Sequence, residues 1–156
     1  MKIDIGITEK GRSEVAAALS KLLGDTYALY VKTQSFHWNV TGPDFPQLHH
    51  LFEQEYDALA EATDELAERI RALGHFAPGS FSQFAKLSSI PEETSVPKAH
   101  DMVKQLCEGH ETAGKTARAL LKKAEEHGDD VTVDMATTRA AAHDKAAWML
   151  RSTAEK

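Results

Sequence analysis

Apolar residues return at helical spacing along most of the chain, and no stretch shows the strict alternation of a strand. The first pattern runs from about Ser13 to Asn39, with Val15, Leu19, Leu22, Leu29 and Phe36 on one face. Thr41-Gly42-Pro43 ends it, because Gly permits a turn and Pro cannot continue a helix. The second runs from about Phe45 to Leu73, with Leu48, Phe52, Leu59, Leu66, Ile70 and Leu73 as its apolar face and Gly74 as its C-terminal cap. A third pattern starts near Ser95, an N-cap residue type, with Pro97 in its first turn. It ends near Lys123–His127, before Gly128. Asp129 or Asp130 caps a fourth helix that continues to about Ser152.

About twenty residues separate the second and third patterns, which is long for a connection inside a compact domain. Phe81, Phe84 and Leu87 at three-residue spacing predict a short helix within it. Two long helices, a long connection and two more long helices make an all-α, four-helix bundle with one crossover. That is the ferritin-like variant of the bundle. At 156 residues the chain suits a single domain over residues 1–156, with no internal repeat.

Composition narrows the setting. The N-terminus, MKIDIGITEKGR, lacks the apolar run of a signal peptide, and no stretch approaches the ~18 apolar residues of a membrane span. The single cysteine, Cys107, cannot form an intrachain disulfide, so a reduced, cytoplasmic setting is expected; it falls in an apolar helical pattern and reads as a small core residue. Eighteen basic against 24 acidic residues give a net charge of −6. This argues against a nucleic-acid surface over the whole chain and suits a protein that gathers cations.

The second helix carries the chemistry. His49, Glu53, Asp57, Glu61, Asp64 and Glu68 fall within about 120° of arc at 100° per residue. Five carboxylates on one stripe repel one another by roughly a few tenths of a kcal/mol per i,i+4 pair. A solvated acidic face would explain the charge alone. The histidine shifts the reading, because His49 and Glu53 point the same way, as do Asp64 and Glu68. Imidazole with carboxylates is a ligand set suited to iron, manganese or zinc. His49 and Asp64 are fifteen residues apart, about 22 Å along a straight helix, whereas metal–ligand bonds are near 2 Å. Either there are two separate sites, or a second copy supplies the missing half across a two-fold axis.

His37-Trp38-Asn39-Val40-x-Gly42, then Phe45, Leu48-His49, Phe52-Glu53 and Asp64-x-x-Ala67-Glu68-Arg69, resemble the ferroxidase signature of the Dps family. Asp134, His143-Asp144-Lys145 and Ala147-Trp148-Met149-Leu150-Arg151 are similar to the family's last helix. The resemblance covers nearly the whole chain. It implies a homo-dodecameric shell that oxidises Fe(II) to Fe(III) at dimer interfaces, preferably with hydrogen peroxide, and stores ferric mineral. By motif position His37, His49 and Glu53 come from one chain, and Asp64 and Glu68 from its neighbour. Glu53 stands where the family often has Asp. Asp134 would line a three-fold pore that admits Fe(II). Trp38 beside His37 reads as packing, with interception of stray oxidising equivalents as the alternative.

The remaining histidines show less. His50 points about 100° away from His49 and reads as surface, and His75, His100, His110, His127 and His143 share no ligand-like spacing. Trp148 and Met149 read as core or interface. A DNA-compacting structural protein is the main rival. The first fourteen residues set Lys2, Lys10 and Arg12 against Asp4, Glu9 and Glu14, and the tail after Trp148 is short, so no basic arm is present and DNA binding should be weak. A 24-subunit haem-binding ferritin would need Glu-x-x-His pairs that the second and fourth helices lack. A shell whose site holds zinc in place of iron is left open by sequence.

Overall fold

The computed structural model describes residues 2–155. Its elements are α1 (Glu9–Asn39), α2 (Phe45–Ala72), α3 (Phe81–Leu87), α4 (Ala99–Glu126) and α5 (Asp130–Ala154), with no strand among the described residues. The four long helices form the bundle, and α3 lies in the crossover between α2 and α4. α1 packs along both α2 and α4, α4 packs along α5, and α2 meets α5 only briefly. Every apolar position read from the sequence on the first two helices is buried, from Val15 to Phe36 and from Leu48 to Leu73.

The boundaries correct the sequence reading in two places and decide between its two alternatives in a third. α1 begins at Glu9 rather than Ser13, because the Thr8 hydroxyl accepts the Gly11 N–H at 3.1 Å and closes the first turn before any apolar position. α4 begins at Ala99, after Lys98, rather than at Ser95. Ser95 is not a cap, since its N–H and hydroxyl both donate to Glu93 Oε1, at 2.9 and 2.7 Å. At the start of α5, where Asp129 and Asp130 were both candidates, the cap is Asp129. Its carboxylate accepts the Thr132 N–H at 3.0 Å and the Thr132 hydroxyl at 2.6 Å.

The long crossover is held down by a buried polar group. Asp25 of α1, fully buried, accepts from Ser89 N–H at 2.6 Å, the Thr116 hydroxyl at 2.6 Å and the Lys21 ammonium at 3.2 Å. The segment after α3 is thereby tied to both α1 and α4. Gly24 beside it lets the crossover approach, because a Cβ there would lie 2.6 Å from Leu87 Cβ. The crossover is fixed by contacts that sequence spacing does not reveal.

Candidate metal centre

α1 ends and α2 begins at the same end of the bundle, joined by a short turn in which Gly42 takes φ +117°. This turn sets His37 against His49. The two rings stack with centroids 3.8 Å apart and planes 18° apart. Each ring's Nδ1 meets the other residue's backbone carbonyl: His37 Nδ1 to His49 O at 2.7 Å, and His49 Nδ1 to His37 O at 2.9 Å. A carbonyl can only accept, so each Nδ1 carries a proton and the Nε2 is left as the nitrogen that could bind a metal. Ligating histidines are commonly oriented in this way, by donating the other ring nitrogen to a fixed acceptor. The lock is reciprocal and uses only backbone acceptors, so either ring can be removed without freeing the other.

His37 is buried, His49 half-buried and Glu53 half-buried one turn further along α2. Glu53 Oε2 lies 3.9 Å from Nδ1 of exposed His50. Tyr56 stands edge-on to His37 with centroids 5.2 Å apart. Partial burial, with the Asp57 and Glu53 carboxylates close by, pushes its phenol above the ordinary range. Sequence reasoning passed over Tyr56.

Asp64 and Glu68 are exposed and lie further down an uninterrupted α2. The helix continues through both ligand pairs without a break, so the pairs stand about 22 Å apart within one chain. Glu68 lines a cleft between α2 and α5 together with Asp134, Glu65 and Arg69. Asp134 is exposed on the second turn of α5. Within one chain, then, His37 and His49 come together, while Asp64 and Glu68 remain apart from them.

The tryptophans are not core residues of this chain. Trp38 is 66% and Trp148 60% exposed, so the packing expected for Trp38 does not occur within the chain. Met149 and Cys107 are half-buried. Cys107 Sγ lies 3.5 Å from the Ala147 carbonyl, and burial raises its thiol pKa.

Three of the histidines that share no ligand-like spacing in the sequence are brought into two groupings by the fold. Glu55 of α2, His110 of α4 and His143 of α5 meet in the bundle interior, 8%, 3% and 1% exposed. Burial pushes the Glu55 carboxyl up to about 8. Burial and the neighbouring His143 and Arg139 push His110 down to about 3, and burial with Arg139 pushes His143 down to about 4. His127 at the end of α4 meets Glu14 of α1 at 2.9 Å, with Glu126 nearby. The Lys123 ammonium sits between Glu14 and Glu126, and Lys10 pairs with Glu14, so two ammonium groups offset the two carboxylates of that cluster.

Comparison with known proteins places the chain in a family. A family described as "Ferritin-like domain" matches residues 16–156. The chain is 37% identical over 135 residues to a DNA protection during starvation protein of Helicobacter pylori, covering 86% of this chain and 94% of that one. The chain belongs to the Dps family of ferritin-like proteins. A Dps protein from Vibrio cholerae O1, described as a member of a broad superfamily of ferritin-like diiron-carboxylate proteins, has the same fold: TM-score 0.94, 31% identity, covering 99% of this chain and 98% of that chain. The Dps chain is also 39% identical over 156 residues to an uncharacterized low temperature-induced protein of Nostoc, covering 99% of this chain and 87% of that one. No described helix is long and apolar enough to cross a membrane.

Proposed function

We propose that this Dps chain is a ferroxidase and iron-storage subunit whose sites are shared between two copies in a closed homo-dodecamer. His37, His49 and Glu53 of one copy would face Asp64 and Glu68 of another. The observation that carries this reading is the locked histidine pair. Two stacked imidazoles, each with its Nδ1 tied to a backbone carbonyl and its Nε2 left for a metal, stand at one end of an acidic stripe whose distal Asp64 and Glu68 are exposed. An antiparallel copy would bring the far end of its own stripe to that pair, which is how an isologous contact works.

The donor set fits iron as substrate. Carboxylates are hard anions that stabilise Fe(III) over Fe(II) and so favour oxidation, while imidazoles retain affinity for Fe(II). Two Fe(II) ions give one electron each to hydrogen peroxide. The O–O bond breaks, two protons are taken up, and two water molecules form with two Fe(III). Pairing the electrons avoids the one-electron reduction that would release hydroxyl radical. The chain's task is to position and charge-balance the ions. The ferric product would collect in the shell, lowering free Fe(II) and peroxide together and so limiting oxidative damage. Zinc suits the same ligands and would act as a competitor.

Anaerobic Fe(II) titration followed by hydrogen peroxide tests the reading. The expected result is saturable Fe(II) binding and a consumption of about one peroxide per two Fe(II). Consumption near one to one, with trapped hydroxyl radical, would contradict it.

A further inference from the structure

We propose that Glu55 and His110, with His143 behind them, form a second divalent-cation site enclosed within the bundle of a single chain. The three residues come from α2, α4 and α5, and each occupies a position where its helix otherwise shows an apolar residue to the core. Glu55 falls between Phe52 and Leu59, His110 between Leu106 and Ala113, and His143 between Ala140 and Ala147. Glu55 lies about 120° around α2 from His49, so this cluster is separate from the locked pair.

Three buried polar side chains need partners, and these have too few. Both Glu55 oxygens, His110 Nε2 and His143 Nε2 have none. Leaving such groups buried and unpaired is destabilising. The geometry shows what could fill the gap. His110 Nε2 and Glu55 Oε2 are 3.8 Å apart, too far for a hydrogen bond. Two ligands bound to one ion at about 2.1 Å would stand at this separation with an angle of about 130° between them. On the other side of the His110 ring, its Nδ1 lies 3.0 Å from His143 Nδ1. With His143 accepting the His110 Nδ1–H, the His110 Nε2 lone pair faces Glu55. That fixes the tautomer a metal requires, as the carbonyls do for His37 and His49.

Glu55 and His110 are therefore the ligands, and His143 is a positioning residue. One carboxylate with one imidazole favours a borderline cation such as Zn(II), Co(II), Fe(II) or Mn(II) over calcium or magnesium. Water would complete the coordination.

Cobalt(II) is a suitable probe, because its visible absorption reports coordination. The background is the assembled full chain with His37→Ala, His49→Ala and Glu14→Gln, which removes the locked pair and one carboxylate of the surface cluster at His127. The test is therefore independent of the ferroxidase reading. After loading and dialysis, about one Co(II) per chain should be retained with visible absorption, and Co(II) should raise the melting temperature. Adding Glu55→Gln or His110→Gln should weaken binding at least tenfold and abolish both signals. These near-isosteric changes are checked for helicity and assembly, and either one that folds suffices. Adding His143→Gln should weaken affinity about 10- to 100-fold at unchanged limiting stoichiometry. No retained Co(II) in the background, as a site filled only by water would give, overturns the proposal. So does equal retention with Glu55 or His110 replaced.

Discussion

The stability of the metal-free chain should peak near pH 6.5, and Glu55→Gln should flatten its alkaline side. The Glu55 carboxyl titrates at about 4.5 in the unfolded chain and about 8 when folded. Between those values the folded state holds a proton that the unfolded state has released. Glu55's contribution is thus complete below pH 4.5 and lost as pH rises through 8, at about 1.4 kcal/mol per pH unit. His110 and His143 run the other way, from 6.5 unfolded to about 3 and about 4 folded. Their contribution is present above 6.5 and lost as pH falls. Between pH 4.5 and 6.5, two imidazoles outweigh one carboxyl, so stability rises with pH by a net of about 1.4 kcal/mol per unit. Above 6.5 the imidazole contribution levels off while that of Glu55 is lost, which costs about 1.7 kcal/mol by pH 8 and leaves a net decline of about 1 kcal/mol. In a chain of this size the Glu55 part is about 3–7 °C of melting temperature. Gln keeps the shape of Glu but cannot ionise. Thermal melts of parent and Glu55→Gln, with chelator at fixed ionic strength and pH 6.5–8, isolate the effect, since other titrating groups cancel in the difference. Parallel pH profiles for the two proteins would mean that Glu55 does not take up a proton on folding.

Two further outcomes concern α5. Asp129→Ala removes the helix cap and the partner of Arg69, a 2.6 Å pair with side chains 1% and 12% exposed, and should cost about 3–5 kcal/mol in urea unfolding. Asp129→Asn, which keeps an acceptor for the Thr132 N–H, should cost less. Asp134→Asn should slow iron uptake, most at low ionic strength, without stopping oxidation of iron already inside; an unchanged uptake rate would point to another route.

The four long helices were legible because each buries one stripe, and the stripe's period survives in the sequence. Leu48 through Leu73 could be read off α2 one turn at a time, and every one is buried. The ends were harder, since Thr8 and Ser95 are equally good caps on paper and only contacts decide between them. Glu93 takes Ser95, whereas nothing competes for Thr8. At the candidate site the residue types and the 22 Å separation were legible. The stacking and the reciprocal carbonyl bonds were not, because they depend on how the Gly42 turn aims α2 back along α1. The buried cluster was missed for another reason. Ligand spacing was sought within single helices, whereas Glu55, His110 and His143 lie on three. A signal was present, since each interrupts an apolar face at a core position. Reading the polar residues on apolar faces, and not only the apolar ones, would have found all three.

If one site is built by two chains, subunit mixing should restore activity to variants that are inactive alone. One variant lacks its histidines (His37→Ala with His49→Ala), and another lacks its distal carboxylates (Asp64→Ala with Glu68→Ala). Each alone forms only half-sites and should be inactive. A mixed dimer with shared sites has one site with all ligands and one with none, whereas sites confined to single chains would all stay defective. Random pairing makes about half the dimers mixed, so unfolding and co-refolding equal amounts should restore about a quarter of parent ferroxidase activity. No recovery in assemblies shown to contain both variants would contradict the account.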